Sequence, residues 1–468
     1  MADLIKQWEE KESVSQSERK YLHFDQKVSI FKAKRFITNP AEVARHYFYP
    51  FIKNTIVKKR YKTEKKTGER KWDPKPRPIM YASHVDSLIY SYYNILLNEL
   101  YERKLTGNPF NESILAYRKL RKSNIEFAYE AFIDIKKMGE CVVLAFDVSK
   151  FFDTLDHSIL RQSWECVIGD NLDKHKDHLN VFSSLTKFAY VEKDKVEKEL
   201  EIKKQREANQ PIYRYCSGKE FRERVRKKGL IEKNQDPKGI PQGSPISALL
   251  SNIYMLDFDK VAYRKIVIEN SGIYRRYCDD ILVVCRKEIA NEIEDWVIKE
   301  IGKTLKLEIQ TDKTERFDLV EEKKSGIYRP INASSGKRRN IQYLGFEFDG
   351  DHIFVRSSSV SRYYRRMKYR VHSAVCDAIK NKGKVFKKKL LLKNTEHGVQ
   401  IANADHNELI KTNPGLAEKR KFKGNFITYA KRAAGKMNED KILKQIKPHR
   451  KYLEKTIKEK LDKLEKPK

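Results

Sequence analysis

Residues 84–104 carry Leu88, Ile89, Tyr92, Ile95, Leu96 and Leu100 at spacings of three and four, the rhythm of a helix with one apolar face. Cys141-Val142-Val143-Leu144-Ala145-Phe146 is different, a short continuous apolar run ending at Asp147. It predicts a buried strand with a carboxylate at its tip. Two further β-prone runs, Ile273-Tyr274-Arg275-Arg276 and Ile281-Leu282-Val283-Val284-Cys285, are joined through Tyr277-Cys278-Asp279-Asp280, which predicts a hairpin with acidic residues at its bend. Upstream, Gly239-Ile240-Pro241-Gln242-Gly243-Ser244-Pro245 holds two glycines and two prolines, a rigid loop for close approach. Ile246, Leu249, Leu250, Ile253 and Tyr254 then mark an amphipathic helix.

Residues 1–60 read as mostly helical, with Asn39-Pro40-Ala41-Glu42 opening a helix that carries Val43, Tyr47 and Phe48. The basic segment 61–78, with Lys65-Lys66-Thr67-Gly68 and then Lys75-Pro76-Arg77-Pro78, suits an extended arm. Residues 191–236 are crowded with Lys, Glu and Arg and read as a surface insertion. Near the end, Leu453, Ile457, Leu461 and Leu464 fall on one helical face. No internal repeat is evident.

Charge adds a direction to this outline. The 468 residues include 98 Lys+Arg against 65 Asp+Glu, a net +33, which points to a polyanionic partner, nucleic acid first. Beyond Val355 there are 32 basic against 11 acidic residues, so the surplus is concentrated in the last quarter of the chain. Twenty-five Tyr and 22 Phe accompany the cations and suit base stacking. The length suggests two or three lobes. Six cysteines without a Cys-x-x-Cys pair indicate neither a zinc knuckle nor a disulfide framework and fit a reducing cytosol. The start has no apolar signal core, and no run of about 18 apolar residues predicts a membrane span, so a cytoplasmic protein is expected.

Asp147 and the Asp279-Asp280 pair, each at a strand end, can make a hard oxygen site for Mg²⁺. Two such ions, about 3.5–4 Å apart, serve nucleotidyl transfer by activating a hydroxyl and neutralising triphosphate charge. Successive strand residues face opposite ways, so one aspartate of the pair shares the Asp147 side; Asp279 is expected as the principal ligand and Asp280 as support. Cys278 is expected to be a small packing residue without a redox role.

Phe146-Asp147-Val148-Ser149-Lys150-Phe151-Phe152-Asp153, Gly239-Ile240-Pro241-Gln242-Gly243 and Tyr277-Cys278-Asp279-Asp280 together resemble the A, B and C motifs of reverse transcriptases, in order, spacing and strand context. The likeness is to the bacterial branches (group II intron, retron and antiphage-defence enzymes) and covers roughly residues 40–370. It implies an α+β fold of the right-hand polymerase type, with α/β fingers and palm, an antiparallel sheet bearing the aspartates, and a basic helical thumb. The implied divisions are an N-terminal helical extension over 1–40, fingers over 41–140, palm over 141–350 with a fingers insertion at about 160–236, and thumb with C-terminal extension over 351–468.

The resemblance also implies roles. Catalysis falls to Asp147, Asp279, Asp280 and Lys313, with Lys313 as general acid toward pyrophosphate. Arg77 and Arg118 would meet the incoming triphosphate. Gln242 and Gly243 would lie against nucleotide or template, and Phe152 would crowd a 2′-hydroxyl and so select dNTPs. Tyr343-Leu344-Gly345 is similar to the hairpin that grips the primer. In the thumb, Arg362, Arg365, Arg366, Lys368 and Arg370, interleaved with Tyr363, Tyr364 and Tyr369, suit phosphate contact with stacking. The cofactor is Mg²⁺, two ions, with Mn²⁺ as substitute.

Val43-Ala44-Arg45-His46-Tyr47-Phe48-Tyr49-Pro50-Phe51-Ile52 and the Val355–Arg366 junction look like those of domesticated bacterial relatives. Few scattered acids follow Val355, so an attached nuclease is not expected. The implied function is cDNA synthesis from a dedicated non-coding RNA in antiphage defence, with that RNA, dNTPs and the cDNA as partners and no membrane. A retron or group II-like enzyme, a template-independent protein-primed polymerase and a non-catalytic RNA-binding scaffold stay open. So does a homo-oligomer, since the Leu453–Leu464 stripe suits its own thumb or a neighbouring copy.

Overall fold

A computed structural model describes residues 2–58, 61–63, 68–72, 74–209, 211–380, 390, 394–395 and 424–465. The basic Lys65-Lys66-Thr67 stretch lies outside the described residues, as does the side chain of Leu464. The chain divides into two compact units, one of residues 1–118, 145–283 and 291–314, the other of residues 119–144, 284–290 and 315–468.

In the first unit a four-stranded sheet runs in the order Lys75–Tyr81, Phe51–Lys58, Ala189–Glu192, Glu232–Lys233. Phe51–Lys58 pairs antiparallel with Lys75–Tyr81 (Ile52 opposite Tyr81, Lys58 opposite Lys75) and parallel with Ala189–Glu192. The helix His84–Leu105 starts where the Ser83 side chain accepts from Asp86 N. Its apolar positions are engaged on more than one side, with Leu88, Ile89, Tyr90, Tyr93, Leu97 and Tyr101 all buried, while Ile95, Leu96 and Leu100 are half-buried.

Two expectations for this unit need correction. The helix opened by Asn39 is a single turn, Pro40–Ala44, and Tyr47 and Phe48 lie beyond it. Arg45 ends it with its N–H already bonded to Glu42 O and Val43 O, and the following segment extends into Phe51–Lys58. The charged stretch 191–236 is also more than surface. Val191, Val196, Leu200, Ile202, Phe221 and Val225 are buried together with Phe24 and Ile52 in one hydrophobic cluster. Each such side chain contributes about 1.5–3 kcal/mol on leaving water. The charges between them fill the outward positions of short helices, which hid the inward ones.

The sheet that carries the acidic residues has Val142–Asp147, Asp280–Cys285 and Ile273–Tyr277 as neighbouring strands, while Glu315–Glu321, Tyr328–Asn332 and Lys337–Arg338 of the second unit pair antiparallel in that order. Residues 145–147 and 280–283 of its central strands belong to the first unit.

In the second unit Ile341–Tyr343, Phe346–Phe348 and Ile353–Val355 form an antiparallel three-stranded sheet, whose first two strands are the hairpin the resemblance implied. Its first bend is Leu344-Gly345, both at positive φ (44° and 91°), the two-residue turn that suits twisted strands. Glu347, buried in this sheet, accepts from Ser357 N and Ser357 Oγ at 3.0 and 2.9 Å and so caps the helix Ser357–Lys380. Tyr363 of that helix stacks on Phe426 (4.8 Å), which opens the helix Phe426–Met437. Leu453 of the last helix, His449–Glu465, is buried within the unit, and Tyr452 meets Tyr364 edge to face. No helix among the described residues is long and apolar enough to cross a membrane.

Candidate active site

The strand Val142–Asp147 is apolar up to its end because Val142, Val143, Leu144 and Phe146 are buried, and Asp147 is the partly exposed polar residue at its tip. Its backbone continues between two partners. Val148 N donates to Asp279 O (3.4 Å), Ser149 N donates to Glu308 O (2.8 Å), and Gln310 N donates to Asp147 O (2.8 Å). The Asp279 turn therefore lies on one side of the strand end and the 308–310 segment on the other. That segment leads directly into Lys313, whose Nζ is paired with the Asp147 carboxylate.

Cys278 and Asp279 form the two-residue connection between Ile273–Tyr277 and Asp280–Cys285. Cys278 sits at φ 60°, a conformation that costs a side-chain-bearing residue free energy and that recurs at functional sites. Burial, and then the charge of Asp147, push the Asp279 carboxyl above the usual carboxylate range, with Lys313 opposing. Asp280 is exposed, and its charge acts on the Tyr277 phenol. The turn, held by Val148 N on Asp279 O, brings Asp279 to Asp147, while Asp280 opens the next strand exposed. Burial pushes the Cys278 thiol up to about 11, consistent with packing rather than redox chemistry.

The Gly239–Gly243 loop is stitched to both of its neighbours. Gly239 N donates to Leu155 O and Ile240 N to Phe152 O (2.8 and 2.9 Å), while Met80 N donates to Gln242 O at 2.8 Å. A Cβ on Gly243, at φ 120°, would stand 2.6 Å from Met80 O. Only glycine lets the loop lie this close to the strand Lys75–Tyr81. Phe151 is buried and Phe152 is half-exposed, so one of the two aromatics is core and the other faces outward. Arg77 is exposed on the Lys75–Tyr81 strand.

Arg118 does not remain available for a triphosphate. Its Nε and Nη2 hold Glu102 (3.0 and 2.7 Å), Nη1 holds Asn111 O and Ile114 O, and Nη2 also reaches Asn111 Oδ1. Five donors meet five acceptors with the side chain 2% exposed, so this arginine is a structural tie. Two aromatic expectations are likewise corrected. Tyr363 is buried with its hydroxyl on Asn394 O (2.7 Å), and Tyr343 is buried, so neither offers a free stacking face. Arg362, Arg365, Arg366 and Lys368 are exposed, and Arg370 is half-buried with Nη1 on Asn394 Oδ1. Gly345 stands in the hairpin turn.

Sequence reasoning passed over one group. Arg276 is fully buried, holds Asp259 with two bonds (2.7 and 2.6 Å), and reaches Asn252 Oδ1 and the Cys278 carbonyl with Nη1 (3.1 and 3.2 Å). Tyr274 donates to the same Asp259 at 2.6 Å. The signal was strand parity, since positions 274 and 276 both point inward and an inward arginine demands a buried acid.

Among the described residues no three His, Cys, Asp or Glu side chains converge as a ready metal cage. Asp147 and Asp279 nevertheless fit Mg²⁺, which binds through one or two carboxylates completed by water and substrate phosphates. The cation already paired with Asp147 and the mutual repulsion of the two acids both show an excess of negative charge at this point.

The description "Reverse transcriptase (RNA-dependent DNA polymerase)" matches residues 65–348, more than half of the chain. No curated protein matches. Among solved structures, the chain is similar to the telomerase from Candida albicans in complex with a TWJ fragment of telomeric RNA (12% identity, TM-score 0.40, 93% of this chain and 65% of that one). It is also similar to apo telomerase from Candida tropicalis truncated from its C-terminal domain (12%, TM-score 0.38, 68% and 57%). The chain thus spans less than two thirds of these proteins. With Asp147 at its strand end beside the Asp279 turn, a glycine loop bonded to Met80, Phe152 and Leu155, and a family match over residues 65–348, the chain belongs to the reverse transcriptase family.

Proposed function

We propose that this protein is an RNA-directed DNA polymerase that makes cDNA from a dedicated non-coding RNA in bacterial antiphage defence, in the cytoplasm. The observation that carries the polymerase is the juxtaposition of Asp147 and Asp279, with Lys313 on the Asp147 carboxylate. Asp147 and Asp279 would hold Mg²⁺, with Asp280 in support. Bound there, the metal supplies activation of the primer 3′-hydroxyl and neutralisation of triphosphate charge.

The remaining work falls to the chain itself. Lys313, paired with Asp147, would serve as the general acid that gives a proton to the departing pyrophosphate. Phe152, half-exposed and five residues after Asp147, would crowd a 2′-hydroxyl and so select dNTPs. Gln242 and Gly243 fix the height of the loop on which a nucleotide or template base rests, and Arg77 reaches the triphosphate. The exposed Arg362, Arg365, Arg366 and Lys368 take RNA phosphates, a sequence-independent contact. The defence role rests on the Val43–Ile52 and Val355–Arg366 segments, whose sequences resemble those of domesticated bacterial enzymes.

The test is Mg²⁺-dependent incorporation of labelled dNTPs by protein purified with its bound RNA, with the product sequenced. Asp279→Ala/Asp280→Ala is expected to lower incorporation on the order of 10³-fold, a loss of several kcal/mol of charge stabilisation. A product that matches no RNA would redirect the assignment to template-independent synthesis. Phage challenge of cells carrying the gene, with and without the double variant, tests the defence role.

A further inference from the structure

The segment 114–118 is held far more firmly than a connecting loop requires. Ile114 forms a parallel bridge with Arg276. Leu115 N donates to Arg276 O at 2.9 Å, and Asn252 Nδ2 donates to Ala116 O at 2.8 Å. Arg118 is tied by the five bonds described above. Ile114, Leu115 and Ala116 are all buried. Within this clamp one residue is different. Tyr117 is 52% exposed and sits at φ 61°. For a bulky aromatic residue that backbone conformation is a genuine outlier, kept only where the surroundings over-determine it.

What it faces is the catalytic turn. The segment runs parallel to the strand that enters that turn, Ile114 beside Arg276, which brings Tyr117 alongside Cys278 and its phenol within reach of the Cys278 and Asp279 charges. Cys278 is the second left-handed residue of the site, held by Arg276 Nη1 at its carbonyl. The same Arg276 backbone holds Leu115, and Asn252 holds Arg276 with its oxygen and Ala116 with its nitrogen. One buried Arg-Asn pair therefore fixes two strained residues against each other. A core tyrosine would bury its ring, and a surface tyrosine would need no clamp. An aromatic face held rigid, half-open and beside the reacting carboxylates suits contact with substrate.

We propose that Tyr117 is a substrate-contacting residue of the polymerase site, its ring a platform on which a nucleobase stacks at the reacting end, from the incoming nucleotide or the primer's terminal nucleotide. This rests on the polymerase reading of Asp147 and Asp279. Aromatic rings serve bases of any sequence in this way, because every base has a π-face.

The experiment compares wild type, Tyr117→Phe and Tyr117→Ala in the full chain on a defined RNA template and DNA primer. Stacking with a base is worth a factor of about 5 to 100, so Tyr117→Ala is expected to raise the dNTP KM about tenfold if the incoming base is the partner, while Tyr117→Phe stays within about twofold. If the primer end is the partner, an abasic 3′-terminal residue costs wild type about tenfold and Tyr117→Ala almost nothing. A ring that only braces Cys278 gives the opposite signature. Tyr117→Phe then lowers kcat as far as Tyr117→Ala does, with KM and primer discrimination unchanged, and the proposal is overturned. Should Tyr117→Ala not fold, Tyr117→Leu removes the aromatic face while keeping bulk and carries the same expectation.

A parallel titration follows 2-aminopurine at the primer end or paired opposite the incoming dNTP. It reads stacking without turnover. If wild type incorporates nothing, the polymerase reading has failed, and loss of the 2-aminopurine response in Tyr117→Ala but not in Tyr117→Phe still upholds the platform. An unchanged response in all variants sinks it.

Discussion

At the scale of single residues, the same side-chain type takes opposite roles according to what surrounds it. Arg118 has spent every donor, whereas Arg77 is exposed, although both sit in motifs that imply phosphate binding. Phe151 is buried and Phe152 half-exposed, so Phe152→Val is expected to raise ribonucleotide use about 10- to 100-fold, the range a single steric contact commands. Single-nucleotide insertion with matched dNTP and NTP checks this, and unchanged discrimination would remove Phe152 from the gate. His23 shows how pH enters. Burial, aided by His84, lowers it to about 3, so the folded chain keeps it neutral while the unfolded chain protonates it near 6.5. Between those values the unfolded state binds the extra proton, and stability falls as pH drops from about 6.5 toward 3. His23→Phe should flatten that part of the thermal-midpoint curve and leave the midpoint near pH 8 little changed.

At the scale of elements, the site depends on how closely backbones approach. Gly243→Ala would drive a methyl group to 2.6 Å from Met80 O, and a cost of about 1–3 kcal/mol with slowed incorporation is expected. Gly336→Ala, also at positive φ but with open space around it, is the control that isolates the close approach from the backbone angle. Arg276→Met leaves Asp259 buried without its partner and should destabilise by about 3–5 kcal/mol. Adding Asp259→Leu is expected to recover much of the melting temperature but little activity, because the Cys278 carbonyl has still lost its donor. Melting and turnover that recover together would count against that role for Arg276.

These elements also mark where legibility in sequence ended. The strand ending at Asp147, the acidic hairpin and the glycine loop were legible, because period and turn chemistry act over a few residues, and the Tyr343–Phe348 hairpin was implied by the family resemblance. The Arg118 tie, the Arg276–Asp259 pair and the clamped Tyr117 were not. Neither period nor turn chemistry names their partners, whether Glu102 sixteen positions from Arg118, Asp259 seventeen from Arg276, or Asn252 on Ala116, 136 positions away. The 191–236 stretch was misjudged for a related reason, since its few inward apolar residues gain meaning only beside Phe24 and Ile52.

At the scale of the whole molecule, a net +33 concentrated after Val355 makes the proposed binding to RNA a matter of salt. Arg362→Glu/Arg366→Glu is expected to weaken retention of the copurified RNA and to reduce the slope of log affinity against log salt by about 2. Retention that ignores salt would place the RNA elsewhere. The long span between partners has a consequence for how the enzyme comes into being. Lys313 meets Asp147 across 166 positions, and the Gly239–Gly243 loop must find Met80 and Phe152 before either side is complete. Contacts so remote close late in folding, after the loop entropy between them has been overcome. During synthesis, no ribosome-bound chain can own a finished catalytic centre before Lys313 has emerged, and in refolding experiments polymerase activity should return with the slowest phase, after helical signal has recovered.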